Sequence, residues 1–286
     1  MTPPIPRSPL LELKDYSAES VFQVENMLRE ARRQKGLPLE PVPAVCVLDP
    51  DGDIVRRLRK DGRARPSPGW ACYHTVLDEF ELDGQTLGIV GCAVGSSFAV
   101  LVAEQLFASG CLLLISITSA GQITVLGPPP YFVLIDRALR DEGTSHHYAP
   151  PAEFAEGNAD LIAWVRPSLT DLPEPIHTGA SWTTDAPFRE TERAIEARRM
   201  QGIAAVEMEA AALYAFAAAR HKHVICFAHV TNQMGQAEGD FEKGEADGTA
   251  DALAVIAAVA RSVRTYQPLN GGRVSVGICG PDDSRS

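Results

Sequence analysis

Two glutamates separated by one methionine, Glu207-Met208-Glu209, open an alanine-rich run over 209–220 that reads as a buried helix. An ionised carboxylate only accepts hydrogen bonds, and those it accepts are charge-assisted and stronger than neutral ones. The positive end of a helix favours that ionised form. Two solvated glutamates opening a helix would sit among polar neighbours. Here the flanks are Ile203-Ala-Ala-Val206 and Ala210-Ala-Ala-Leu213, so at least one glutamate is expected among apolar side chains. Burial of a carboxylate in such a place points to a functional site.

The elements that must position this pair follow from periodicity and turn chemistry. Residues 87–93 read as a strand, Val94-Gly95-Ser96-Ser97 as a loop, 98–109 as a helix closed by Gly110, and 111–117 as a second strand. That order implies a parallel pair with a right-handed crossover. The loop Thr118-Ser-Ala-Gly121 then lies at the carboxyl ends of the strands, where open α/β sheets place ligands. Further strands are expected over 44–48, 131–136, 176–182 and 224–230, with a turn-rich loop over 49–53 and a closing amphipathic helix over 247–264. Ser17 is placed to cap a helix running to about residue 34 and stopped by Gly36 and Pro38. The fold class is therefore α/β, a single domain with a central, mostly parallel mixed sheet flanked by helices. Its core spans about 44–266, between an irregular segment over 1–15 and a C-terminal tail over 267–286, and no repeat or linker divides the chain.

Composition bounds the function. The chain of 286 residues is 45% hydrophobic and 22% charged, as expected of a folded globular protein. A net charge of −11, with no basic stripe, argues against nucleic acid as a partner. No apolar run reaches membrane-spanning length, and the first residues lack the pattern of a signal peptide, so a cytoplasmic location is expected. The six cysteines show no metal-ligand spacing; Cys46, Cys92, Cys111 and Cys226 fall in apolar runs and read as reduced core thiols.

The segment Val206-Glu207-Met208-Glu209-Ala-Ala-Ala-Leu213 resembles the nucleoside phosphorylase superfamily, and within it the uridine phosphorylase-like branch. The likeness runs from Asp83-Gly84 through Thr118-Ser-Ala-Gly121-Gln-Ile123 and continues in Asp141-Glu-Gly-Thr-Ser-His-His-Tyr-Ala-Pro150, covering roughly residues 44–264. In that family the second glutamate binds sugar hydroxyls and the methionine lies under the ring. The resemblance thus implies that Glu207, Met208 and Glu209 form the catalytic sugar clamp, and a carboxylate can indeed accept both protons of a cis-diol. Trp182 is expected either to stack on the base, since every nucleobase presents a π face, or to be an ordinary core tryptophan. Asp185 and Arg189 replace the segment that reads the uracil edge in uridine phosphorylases; Arg189 serves a base carbonyl or stands in solvent. Purine phosphorylases carry an aspartate where this chain has Asn232, which can only hydrogen-bond, so a pyrimidine or altered base is favoured. Gly121 completes the implied substrate site.

The resemblance places phosphate at Gly52, Arg56 and Ser119. Ser116 and Tyr73 stand where the family keeps two further arginines, and one arginine with a hydroxyl is a thin replacement for a dianion's donors. Arg63 or Arg65 of a second subunit are candidates to rebuild the site. The implied activity is a pentosyltransferase that cleaves the N-glycosidic bond of a nucleoside with phosphate, giving base and pentose 1-phosphate. A nucleosidase using water and a non-catalytic nucleoside-binding protein are the alternatives. No metal or cofactor is implied beyond phosphate as co-substrate; the partners are a small-molecule nucleoside and, by resemblance, further copies of the chain.

Overall fold

The computed structural model describes residues 8–233 and 248–267. Ten strands form its sheet: β1 (Val45–Asp49), β2 (Ala64–Pro66), β3 (Leu77–Leu82), β4 (Gln85–Gly91), β5 (Leu113–Gln122), β6 (Tyr131–Asp141), β7 (Phe154–Glu156), β8 (Ile176–Thr184), β9 (Ala205–Glu207) and β10 (His223–Asn232). The helices are α1 (Val24–Lys35), α2 (Asp53–Lys60), α3 (Ser96–Ala108), α4 (Ser145–Tyr148), α5 (Ala159–Val165), α6 (Glu192–Met200), α7 (Ala210–Arg220) and α8 (Thr249–Val263).

Successive strand side chains point to opposite faces, and this alternation divides the core. Cys46, Leu48, Leu114, Val133 and Cys226 face α3 and α7, whereas Val47, Leu113, Ile115, Phe132 and Phe227 face α2, α5 and α8. Both faces are dry, as an α/β sheet requires. The strand order β10-β6-β8-β9-β5-β1-β4-β3-β2 carries an additional β10–β5 pairing, so β5, β10, β6, β8 and β9 close into a ring. Parallel pairings (β1 with β4 and β5, β5 with β10, β8 with β6 and β9) alternate with antiparallel ones, β5–β9 and β6–β10 among them.

Several expectations are corrected. The strands on either side of α3, β4 and β5, are parallel but not neighbours, because β1 lies between them. Thr118 to Gly121 continue β5 instead of forming a loop, since β10 and β9 supply them with partners. The loop expected over 49–53 ends in α2, whose Ile54, Val55 and Leu58 are buried. The first long helix starts at Val24, not at Ser17: the Ser17 backbone N–H and hydroxyl both donate to Asp15, a local turn that competes with helix. Its end at Gly36, with φ +64°, is as expected. The nominally irregular start docks: Lys14 Nζ lies 2.8 Å from His147 Nδ1, and the Tyr16 hydroxyl donates to the His146 carbonyl at 3.3 Å. Cys92 is exposed and left-handed, with φ +61°, while Cys46, Cys111 and Cys226 are buried thiols. Residues 1–7 of the expected irregular segment, residue 247 of the expected closing helix, Cys279 and all but the first residue of the expected tail over 267–286 lie outside the described residues. Among the described residues, no helix is long and apolar enough to cross a membrane.

Candidate active site

Glu207 ends β9 and is 3% exposed. Its Oε1 accepts from the Ser181 and Thr183 hydroxyls at 3.0 and 2.5 Å, and its Oε2 accepts from the backbone N–H groups of Glu209 and Ala210 at 2.7 Å each. Those two N–H groups belong to the first turn of α7, which would otherwise be orphaned. Glu207 thus ties β8, β9 and α7 together. Burial raises its pKa, and the four donors oppose that shift.

Glu209 occupies the N-cap position of α7, with no side-chain capping bond, and is 1% exposed. The Gly95 N–H donates to its Oε1 at 2.7 Å, and the Ser96 hydroxyl donates to the Met208 carbonyl at 2.7 Å, so the start of α3 and the start of α7 are locked together. Its Oε2 makes no hydrogen bond of good geometry, although the Thr118 hydroxyl stands close enough to the carboxyl to favour its ionised form. Burial, with the neighbouring Glu207 charge, pushes this carboxyl up to about 8. Two buried carboxylates two residues apart cannot both ionise cheaply, and the member that accepts more hydrogen bonds is the better placed to hold the charge. That member is Glu207, with its four donors.

Gly121 and Asn232 are cross-strand partners at the ends of β5 and β10, beyond an irregularity in the register after Val230, and Val206 pairs with Gly121 from the other side. The predicted substrate residues Gly121 and Asn232 are therefore assembled next to the Glu207–Glu209 turn. Asp185 is exposed and accepts from the Gly143 N–H at 2.8 Å, which links the two segments over 141–150 and 182–191. Arg189 is exposed on a single turn of 3-10 helix, Pro187–Arg189.

Trp182 is a core tryptophan. Strand alternation sends Ser181 and Thr183 toward Glu207 and Trp182 to the opposite face, where it packs with Ile123, Leu139, Ile203 and Val206. Its Nε1 donates to Asp141 at 2.9 Å, and the Arg198 guanidinium lies 5.4 Å from the ring centre. At 3% exposure it offers no open face to a base. The aromatic that sequence reasoning passed over is Phe188, 99% exposed beside Arg189. Its signal was an apolar ring directly after Pro187 in a turn segment, with no periodic partner.

The three aspartates of the β1–α2 turn have separate tasks. Asp49 accepts from the N–H groups of Gly52 and Val55 and so caps α2; burial pushes it up to about 7. Asp51 reaches across to β5 and accepts from the Ser119 N–H at 2.7 Å and its hydroxyl at 2.8 Å. Asp53 accepts from Arg56 at 2.5 Å, and Arg56 also donates to the Asp51 carbonyl at 2.9 Å. Gly52 has φ +79°, and a Cβ there would lie 2.5 Å from Cys92 Sγ and 2.7 Å from Arg56 Nη1. Gly52, Arg56 and Ser119, the predicted phosphate residues, do come together, but with an aspartate of the same loop among them. A cleft of about 20 Å³ lined by Asp49, Asp51, Asp53, Thr118, Ser119 and His229 has room for about one water. Ser116 is buried in β5, and the Tyr73 hydroxyl donates to Gln34. Arg63 is exposed and Arg65 pairs with Glu79. Among the described residues, no group of three or more His, Cys, Asp or Glu side chains could hold a metal ion.

Residues 27–264 match the family model described as the phosphorylase superfamily. Guanosine phosphorylase of Halorubrum lacusprofundi is 26% identical over 135 residues, 47% of this chain and 56% of that protein, so the match spans little more than half of the relative. Uridine phosphorylase from Vibrio fischeri ES114, complexed with 6-hydroxy-1-naphthoic acid, is similar with a TM-score of 0.64 and 20% identity over 77% of this chain and 90% of that one. 5'-Methylthioadenosine/S-adenosylhomocysteine nucleosidase from Neisseria meningitidis, with methylthio-immucillin-A, gives a TM-score of 0.61 and 18% identity over 76% and 98%. At such identities the structures share the fold.

Proposed function

The chain belongs to the phosphorylase superfamily, and on that premise we propose that it cleaves the N-glycosidic bond of a nucleoside, with Glu209 holding the ribose hydroxyls. The observation that carries this reading is Glu209 Oε2, a buried acceptor that makes no hydrogen bond of good geometry, at the junction of α3, α7 and β9. A sugar diol supplies the donors that its ionised form lacks, as binding expels the carboxyl proton. Met208 lies between the two carboxylates, and Glu207 acts as a positioning residue. Asn232, a neutral amide, suits a base that departs without protonation by the protein, as a pyrimidine can. Phe188 and Arg189 are the side chains available to the base from the loop after β8.

Water is the nucleophile this geometry favours over phosphate. The Ser119 N–H and hydroxyl, donors an oxyanion would need, are taken by the Asp51 carboxylate, and Arg56 is engaged by Asp53. A phosphate dianion would meet three aspartates there, whereas a water fits the adjoining cleft. In the reaction the C1'–N bond breaks with its electron pair leaving on the base, the ribose passes through an oxocarbenium-like state, and water adds at C1' while its proton passes to Asp51. Phosphorolysis is the second reading, favoured by the retained Gly52 and by Arg56, whose side chain is 57% exposed. Incubation with a panel of nucleosides, with and without phosphate, decides: free pentose at a phosphate-independent rate is expected, pentose 1-phosphate supports the second reading, and no product from any nucleoside removes both.

A further inference from the structure

The outer face of α3 lacks the charge that a solvent-facing helix carries. Among its thirteen residues only Glu104 is charged, and Arg220 from the end of α7 pairs with it at 3.4 Å. One side of the helix packs Ala99, Val102, Ala103 and Leu106 into the core, while Ser97 and Leu101, one turn apart, stand exposed on the other. A helix that is apolar nearly all round is normally covered on every side. Leu101 lies in the floor of a cleft of about 750 Å³, between the segment that leads into α1 and the end of α7. Phe22 lines the same cleft from the α1 side and is 76% exposed. Scattered exposed apolar side chains are ordinary, but a contiguous group of them marks an interaction surface.

The two walls of the cleft carry opposite charge. Glu19 and Glu25 come from the α1 side, whereas Arg220 and Lys222 come from the end of α7. Glu104 balances Arg220, so Lys222 is the surplus on the basic wall; Lys222, Glu19 and Glu25 have no oppositely charged partner among the described residues. An acidic wall and a basic wall on either side of an apolar floor make a surface complementary to itself. A two-fold axis through the floor sets the acidic wall of one copy against the basic wall of the other, twice over, and covers the apolar side chains between them. Two chains of net charge −11 repel at long range, and such local pairing fixes where they can meet.

We propose that this cleft is the contact face between two copies of the chain, related by a two-fold axis near Leu101, with Phe22 of each copy entering the cleft of the other and Glu25 facing the partner's Lys222. The cleft follows α3 from Leu101 to Ala108, away from Gly95, where Glu209 is bound, so the inference does not rest on the nucleoside reading. Sedimentation velocity of the full chain tests it. An assembly with an even number of copies is expected, and Leu101→Asp, which sets two carboxylates against each other across the axis, should halve its mass without moving the melting temperature. Lys222→Glu should weaken the association about tenfold or more, and adding Glu25→Lys to it should recover the association, because the exchanged charges again face each other. Glu209→Ala should leave the assembly unaltered. A monomeric parent leaves the face to some other protein and overturns the proposal; so does an assembly indifferent to Leu101→Asp or to Lys222→Glu, or a double variant no better associated than Lys222→Glu alone.

Discussion

The carboxylate of Asp51 accepts from both the backbone N–H and the hydroxyl of Ser119, at 2.7 and 2.8 Å, across 68 residues of sequence. A side chain of the β1–α2 turn thereby takes up two donors at the carboxyl end of β5. If Asp51 also accepts the proton of the attacking water, Asp51→Asn keeps the shape and removes the base, and kcat should fall by roughly 10²–10⁴-fold with KM little changed. Steady-state kinetics on the most active nucleoside of the panel measure this, and an unchanged kcat would show that Asp51 is only a structural plug.

Nucleoside binding should expel a proton near neutral pH. Free Glu209 is pushed up to about 8, and the hydroxyl donors of a ribose favour its ionised form. Affinity should therefore rise with pH and level off above about 8. Calorimetry in buffers of different ionisation enthalpy reads the released proton directly; Glu209→Gln should abolish the release and weaken binding.

Stability should move with pH in the opposite sense. Glu209 is raised from 4.5 to about 8 and Asp49 from 3.8 to about 7, both mainly by burial, so the folded chain holds protons that the unfolded chain has already lost. Their contribution is intact below the unfolded values and is lost as pH rises through the folded ones. In urea denaturation, Glu209→Gln should gain on the parent between about pH 5 and about pH 9. A constant difference across that window would mean that Glu209 is ionised in the folded state.

Glu207→Gln turns one of two fully used acceptor oxygens into a donor facing other donors, and should cost about 1–3 kcal/mol of stability. Catalytic loss beyond that is expected to follow misplacement of Glu209, so the variant should show raised KM before lowered kcat. A variant as stable as the parent argues against the tie between β8, β9 and α7.

Trp182→Ala removes a buried indole and should destabilise by about 3–5 kcal/mol, with nucleoside affinity preserved in whatever folds. Phe188→Ala, at a fully exposed ring, should leave the denaturation midpoint in place and lower nucleoside affinity instead. The reverse pattern restores Trp182 as the platform.

The sequence by itself determined the strand and helix inventory wherever apolar runs were long, because burial on both faces of a sheet leaves a pattern a single chain can show. It marked Glu207-Met208-Glu209 for the same reason, two carboxylates among alanines being improbable on a surface. It missed α2, whose eight residues alternate charge and apolar groups too briefly to separate from a loop, and it missed the ring of β5, β10, β6, β8 and β9, because pairing between distant strands has no local signature. Trp182 and Phe188 could not be told apart by type; the pleat of β8 decided which ring was enclosed. The division of labour among Asp49, Asp51 and Asp53 was equally hidden, since three carboxylates within five residues differ only in what the tertiary structure brings within hydrogen-bonding reach of each: a helix start, Ser119 or Arg56.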